Sequence, residues 1–145
     1  MDCSDLSHAR CCACGSLRKT TRAITQFFDR HLQPIGLRST QCSLLLAVSL
    51  HGSLSVSELG EHLLMDQTTV TRNIEILRKH GYVSVSKDEQ DARRKSIAIT
   101  ESGAQKLMQA MPLLQQAQAK IEQGLGEKDM KTFLRLLKQI EQIVE

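Results

Sequence analysis

Residues 67–80, QTTVTRNIEILRKH, combine an apolar stripe with an unusual set of polar side chains. Val70, Ile74 and Leu77 recur at positions i, i+4 and i+7, which predicts a helix with one apolar face. Another face carries threonine, arginine and asparagine, where a plain solvated helix would carry mainly glutamate and lysine. These side chains can bond phosphates and base edges in the major groove. The candidate DNA contacts, with a solvated helix face as the alternative, are Gln67, Thr68, Thr69, Thr71, Arg72 and Asn73.

A second group with chemical potential is a cluster of thiols near the start of the chain, where Cys11 and Cys14 form a C-x-x-C with Cys12 between them. We expect a long helix to begin here, and its dipole, with Arg18 and Lys19 one turn on, would stabilise a thiolate. Such a thiolate can react with an oxidant. The candidate sensor thiols are therefore Cys11, Cys12 and Cys14, against the alternative of ordinary thiols in a frayed terminus.

Two other uses of these cysteines remain open at this point. A thiophilic metal ion is one, and its candidate ligands would be Cys3, His8, Cys11, Cys12 and Cys14. A thiol oxidoreductase acting through Cys11 and Cys14 is the other, but it would need a βαβ context that the chain's patterns do not predict. Cys42 falls in an apolar segment and is expected to be a core residue.

Short elements surround residues 67–80 in a specific order. Residues 56–64 predict a helix, with Ser55 and Glu58 in the spacing of a capping box, and Asp66 is a suitable cap for the next helix. Residues 82–86 and 96–100 alternate as strands do. Two short helices followed by a hairpin predict a helix-turn-helix with a wing.

The predicted wing tip, residues 87–95, carries several cations. Its candidate DNA contacts are Lys87, Asp91, Arg93, Arg94 and Lys95. Just before the predicted second helix, Arg38 and Ser39 are candidate contacts to the phosphate backbone of DNA. An ordinary charged hairpin tip is the alternative, because Asp88, Glu89 and Asp91 nearly cancel the positive charge.

The segments LSVSELGEHLLMDQTTVTRNIEILRKHGYV, DARRK and IAITESG together resemble the multiple-antibiotic-resistance regulator (MarR) family. The resemblance implies a homodimeric winged helix that binds pseudo-palindromic double-stranded DNA. It implies that Arg93 enters the minor groove while Asp91 holds its turn in shape. It also implies a pocket for a small-molecule inducer between the dimer arms and the DNA-binding lobe, with candidate lining residues Leu17, Phe27, Phe28, Leu45 and Met111.

One branch of that family senses organic hydroperoxides through a cysteine near the start of the first helix, about where Cys14 falls. That branch uses tyrosines to orient its thiol, whereas Tyr82 in the predicted wing is this chain's one tyrosine. The branch's detailed mechanism therefore does not carry over to this sequence.

The remaining segments predict helices over residues 11–32, 41–50, from 101 onward and 127–144, with a kink or break at Pro112. The apolar positions of the last helix exceed what a small winged-helix core needs. We assign the surplus to a homodimer interface, with an intrachain helical hairpin as the alternative. The predicted fold is mainly α with a β wing: residues 37–100 form the winged helix-turn-helix lobe, and residues 11–36 and 101–145 form dimerisation arms, all in one protomer.

The composition agrees with this assignment. The 145 residues include no tryptophan, one tyrosine and three phenylalanines, so the core should be aliphatic, and the net charge is +3. No apolar run approaches membrane-span length, so we expect a cytoplasmic protein without a membrane partner. The sequence thus predicts a DNA-binding transcriptional regulator that acts as a repressor and not as an enzyme, and that is released from DNA by cysteine oxidation, a thiophilic metal or a small ligand.

Overall fold

The computed structural model describes residues 12–145, which are mostly helical with one small sheet. The elements are helices α1 (Ala13–Leu32), α2 (Ser39–His51), α3 (Val56–Leu63), α4 (Gln67–Lys79), α5 (Glu101–Leu125) and α6 (Glu127–Val144), a 3-10 turn (Gln33–Ile35), and strands β1 (Ser53–Ser55), β2 (Val83–Lys87) and β3 (Lys95–Ile99).

Helix α2 lies at the centre of the core. Leu44, Leu45 and Val48 are completely buried, and the helix contacts α1, α3, α4, α5 and two strands. Burial does not extend all the way around the helix, since Leu46 and Leu50 are 40% and 73% exposed. The helix also begins two residues earlier than predicted, and at its start the Arg38 backbone N–H donates to Gln41 Oε1 over 3.1 Å.

Helices α3 and α4 form the predicted helix-turn-helix. The Ser55 backbone N–H donates to Glu58 Oε2 over 2.7 Å and the Glu58 N–H donates to Ser55 Oγ over 3.2 Å, so the predicted capping box is confirmed. Leu64 ends α3 in the left-handed region at φ +50°, and the next amide, of Met65, donates to the Gly60 carbonyl. A side chain at Gly60 would lie 2.8 Å from the Met65 carbonyl oxygen, so this close turn requires glycine.

The wing is a three-stranded antiparallel sheet in the order β1-β3-β2. Strands β2 and β3 confirm the predicted hairpin, shifted by one residue at their ends. Strand β1 was not predicted, because three residues are too few to show alternation. It pairs Leu54 with Ile97 and so joins the helix-turn-helix to the wing.

Helix α5 carries the chain away from the wing. The Thr100 hydroxyl donates to the Gly81 carbonyl and accepts from the Gly103 N–H, so it caps α5 and ties it to the end of α4. The predicted break at Pro112 was wrong, since α5 continues to Leu125. Pro112 and Met108 are both exposed, so the carbonyl that loses its amide partner lies on the solvent side.

No helix within residues 12–145 is long and apolar enough to cross a membrane.

Candidate nucleic-acid interface

Helix α4 presents one uncommitted polar face to solvent. Val70, Ile74 and Leu77 are buried in the core, as their spacing predicted, and this fixes the rotation of the helix. Thr68, Thr71 and Arg72 are consequently exposed, and none of them forms a side-chain hydrogen bond to another residue of 12–145. Their donors are therefore free to bind a ligand outside the protein.

Other predicted contacts on α4 are already engaged within the helix. The Asp66 carboxylate accepts from the Thr69 backbone N–H over 2.7 Å and from its hydroxyl over 3.0 Å. These bonds lower the pKa of Asp66. Asn73 Nδ2 donates to the Thr69 carbonyl over 2.9 Å, which leaves one N–H and the Oδ1 of its amide for a base.

Gln67 is held by a residue that the sequence did not indicate. Its Nε2 donates to Ser57 Oγ on α3 over 3.2 Å, which connects the first turns of the two helices. Ser57 lies ten residues from Gln67 and belongs to no motif, so no sequence signal could have found this contact.

Glu75 and Arg78 form the one salt bridge on α4, with Arg78 Nη2 2.7 Å from Glu75 Oε1. A second bond joins Arg78 Nε to Glu75 Oε2 over 2.9 Å. The pairing lowers the pKa of the Glu75 carboxyl and raises the pKa of the Arg78 guanidinium. Arg78 is therefore committed to its partner, in contrast to Arg72.

The wing tip is a compact turn shaped by Asp91. Its side chain accepts from the Arg93 N–H over 3.0 Å, and its carbonyl accepts from the Arg94 N–H over 2.9 Å. A further bond from the Asp88 N–H to the Arg94 carbonyl closes the turn. The side chains of Lys87, Arg93, Arg94 and Lys95 are all exposed. The turn thus presents cations on a fixed backbone, as a phosphate-binding wing requires.

Arg38 and Ser39, at the start of α2, differ in whether their donors are free to bind DNA. Arg38 is exposed. The Ser39 hydroxyl and backbone N–H both donate to Asp29 Oδ1 over 2.7 Å, so their donors are used within the fold. Ser39 therefore does not offer these donors in this conformation, and its contact with phosphate stays a prediction. Asp29, which comes from α1, is a positioning residue that the sequence alone did not reveal.

The described cysteines fall into two classes. Cys12 is the N-cap of α1 and Cys14 lies in its first turn, and both are exposed. Cys42 is buried as predicted, and burial, assisted by the charge of Asp29, raises the pKa of its thiol to about 11. The described part of α1 begins at Ala13, whereas residue 11 had been the predicted start, and Cys11 lies outside the described residues.

The metal prediction also falls partly outside the described residues, because it includes Cys3, His8 and Cys11. Within residues 12–145, no group of three or more His, Cys, Asp or Glu side chains could hold a metal ion. The strands of this same region form one antiparallel sheet, without the βαβ unit that a thioredoxin-like oxidoreductase needs.

A cavity of about 370 Å³ lies between α1, α2 and α5. Phe28 and Met111 line it, as predicted for an inducer pocket. Leu45 was wrongly included, because it is completely buried in the core. Phe27 lines a separate apolar groove between α1, α5 and α6, and Leu17 lines neither space.

Helix α6 leaves much of its apolar face uncovered within one chain. Met130 is its one buried residue in the described structure, whereas Leu134, Leu136 and Ile143 are 52%, 44% and 73% exposed. Helix α6 packs on α5 within the chain and leaves these side chains exposed, so the homodimer interface stays a prediction.

Comparison with known proteins places this geometry among transcriptional regulators. The MarR family profile matches residues 35–94. The chain is similar to the M. tuberculosis transcriptional regulator MosR solved in complex with DNA, at 35% identity over 92% of this chain and 98% of MosR, with a TM-score of 0.78. It is 31% identical over 84 residues to the regulator SarZ of Staphylococcus epidermidis, covering 58% of this chain and 57% of SarZ.

A third relative is the organic hydroperoxide resistance transcriptional regulator of Bacillus subtilis, which is 29% identical over 91 residues. That match covers 63% of this chain and 62% of the relative. The chain therefore spans little more than half the length of SarZ, and somewhat less than two thirds of the Bacillus protein.

Proposed function

Because this chain belongs to the MarR family, we propose that it is a sequence-specific DNA-binding repressor that acts as a homodimer on a pseudo-palindromic operator. The observation that carries the proposal is the uncommitted face of α4, where Thr68, Thr71 and Arg72 are exposed beside a basic wing. A purely structural helix has no need of unpaired donors on one face. The similarity to MosR, which was solved with DNA, supports the same conclusion.

In the proposed complex α4 enters the major groove. Arg72 bonds a guanine through both of its terminal nitrogens, while Thr68 and Thr71 contact phosphate or a thymine methyl. The backbone N–H groups at Gln67 and Thr68 offer a further phosphate site at the helix N-terminus. Arg93 occupies the adjacent minor groove, and Arg38, Lys87, Arg94 and Lys95 contribute phosphate contacts.

The direct experiment selects binding sequences from a random duplex library and then measures affinity at several salt concentrations. We expect an inverted repeat with half-sites one helical turn apart, since a two-fold dimer places its two recognition helices at that spacing. Affinity should fall steeply with salt. Recovery of no enriched sequence, with affinity equal on all duplexes, would refute specific recognition.

The homodimer is proposed from the uncovered face of α6 and from the need for two recognition helices at a fixed distance. Ile140→Glu places a charge on that apolar face and should give a monomer by light scattering. Gln142→Glu adds the same charge to an exposed position on another side of α6 and should leave the dimer intact. A monomeric parent protein, or an Ile140→Glu dimer as tight as the parent, would count against this interface.

Derepression is proposed to occur through the thiols at the start of α1. A Cys14 thiolate would attack the O–O bond of a hydroperoxide, giving a sulfenic acid and releasing the alcohol. A second thiolate, Cys11 or Cys12, would then displace water and form a disulfide. The two thiols supply the two electrons that reduce the peroxide. The exposure of Cys12 and Cys14 supports this route, and so does the similarity to a hydroperoxide resistance regulator.

A thiol test compares three serine variants in DNA release by oxidant. Cys14→Ser should lose the response, Cys11→Ser should lose part of it, and Cys42→Ser should respond like the parent because its thiol is buried and protonated. If a variant lacking Cys11, Cys12 and Cys14 is released by oxidant or thiophilic metal as readily as the parent, these thiols are not the sensor. A small ligand in the cavity between α1, α2 and α5 is the second proposed route to derepression.

A further inference from the structure

The cavity between α1, α2 and α5 has the size and composition of a small-molecule site. Its volume of about 370 Å³ falls within the range of roughly 300–1,000 Å³ that such sites occupy. Its wall is mainly apolar, with Phe28 from α1, Leu46 from α2, and Leu107 and Met111 from α5. An apolar molecule entering it would therefore bury apolar surface against these side chains.

The polar groups of the wall are all hydroxyls: those of Thr25, Ser39, Thr40 and Ser43. The Ser39 hydroxyl donates to Asp29 over 2.7 Å, and the Ser43 hydroxyl donates to the Ser39 carbonyl over 3.1 Å. These two hydroxyls can offer only lone pairs to a ligand. Thr25 and Thr40 form no side-chain hydrogen bond within residues 12–145, so they can donate or accept.

No side chain of the wall offers a positive charge to a negative ligand, and the Ser39 backbone N–H at the start of α2 already donates to Asp29 over 2.7 Å. None of the lining residues within 12–145 is lysine, arginine or histidine, and the carboxylate of Asp29 stands directly behind Ser39. The Cys42 thiol also lines the cavity, and burial together with the charge of Asp29 raises its pKa to about 11. The surroundings of this thiol therefore disfavour a negative charge. Conditions that disfavour a thiolate also disfavour a ligand carboxylate.

We propose that the inducer is an uncharged, largely apolar molecule with one or two hydrogen-bonding groups, such as an aromatic amide, ketone or alcohol, and that carboxylates are excluded. This inference rests on the proposed function for the cavity's role as an inducer site. A carbonyl or hydroxyl of the ligand meets Thr25 and Thr40, and its rings lie against Phe28 and Met111.

The same cavity reaches the helix-turn-helix through Met65. This lining residue stands immediately before Asp66, the cap of α4, and its amide donates to the Gly60 carbonyl over 2.9 Å. A ligand that contacts Met65 and the arm helices together changes the position of α4 relative to the arms. An occupied cavity therefore alters the spacing of paired recognition helices.

The test uses naphthamide and naphthoate, which share a ring system and differ in charge at neutral pH. Calorimetry on the reduced full-length protein should show naphthamide binding at least roughly tenfold more tightly. Equal or tighter binding of naphthoate would overturn the inference, and so would the absence of binding by both compounds at millimolar concentration.

Two tryptophan variants locate the site. Met111→Trp fills the cavity and should abolish naphthamide binding. Met108→Trp, on the same helix but 74% exposed and outside the cavity, should leave binding unchanged. Unchanged binding by Met111→Trp would place the site elsewhere and overturn the inference.

A charge variant tests the cause of the selectivity. Leu46→Arg brings a cation to the rim of the cavity and should raise naphthoate affinity at least roughly tenfold, whereas Leu50→Arg, one turn away and outside the cavity, should not. Equal responses of the two variants would show that the wall's lack of positive charge is not what excludes anions. These binding measurements need no DNA, so a protein that failed to bind any duplex would refute the proposed function alone.

Discussion

Replacing Arg72 with alanine separates base recognition from general attraction to DNA. The Arg72 side chain is exposed and forms no hydrogen bond within residues 12–145, so its removal leaves no buried group without a partner. The free energy of unfolding should therefore change by no more than about 0.5 kcal/mol. Any larger effect on DNA binding must then come from a lost contact and not from a damaged fold.

The magnitude follows from one lost bidentate contact per half-site. Each such contact contributes about 1–3 kcal/mol of discrimination. A dimer loses two of them at well-separated positions, where effects add, so specific binding should weaken by roughly 2–6 kcal/mol. This corresponds to a loss of affinity between roughly 30-fold and 20,000-fold.

Fluorescence anisotropy on the selected operator and on a scrambled duplex of equal length measures both effects. The matched control is Arg78→Ala, which removes the same charge from α4. Arg78 is bound to Glu75 and lies roughly 240° around the helix from Arg72. Its loss should change operator affinity far less. If Arg72→Ala weakens both duplexes equally, Arg72 contacts phosphate and the base assignment is wrong.

Three further predictions follow from single contacts. Arg93→Ala should weaken binding on every sequence and reduce the slope of log affinity against log salt by about one unit, and an unchanged slope would mean that the wing tip does not touch DNA. Gly103→Ala should lower the free energy of unfolding, measured by denaturant titration, by about 1–3 kcal/mol or more, because the added methyl would overlap the Tyr82 carbonyl. Gly124→Ala in the same helix is the control: its methyl would have no other atom within 4 Å, so the free energy of unfolding should stay the same or rise. Asp66 has a lowered pKa in the fold, so its stabilising contribution is complete above its ordinary pKa and is lost as pH falls through the lower folded value. Asp66→Asn keeps the cap without titrating, so from about pH 5 to pH 3 the parent should lose more stability than this variant, and parallel curves would contradict the assignment.

Much of the fold could be predicted because its signals are local. The spacing of Val70, Ile74 and Leu77 fixed the buried face of α4, and the structure buries all three. Ser55, Asp66 and the Thr100–Gly103 pair mark helix starts through hydrogen bonds that span three residues. Such bonds depend on residue types that a sequence displays directly.

The candidate site was predicted less completely, because whether a side-chain donor is free to bind DNA depends on neighbours that can be distant in sequence. Arg72 and Asn73 are adjacent and chemically similar as DNA contacts, yet Arg72 is free and Asn73 is bonded to its own helix. Ser39 is predicted to contact phosphate, but in the structure its backbone N–H and its hydroxyl both donate to Asp29, ten residues earlier. Strand β1 gave no signal because its three residues are too few to show alternation, and its pairing with Ile97 is a contact that only the folded chain reveals.

By itself, the sequence determined the helix-turn-helix and the wing, since periodicity and capping act within a few residues, and it supplied the residue types that we propose face DNA. Tertiary packing alone decided which donors remain free, that Leu45 belongs to the core while Leu46 lines a cavity, and that this cavity has no cation in its described wall. The physical reason is that desolvation and hydrogen-bond competition depend on distances between side chains, and only the folded chain sets those distances.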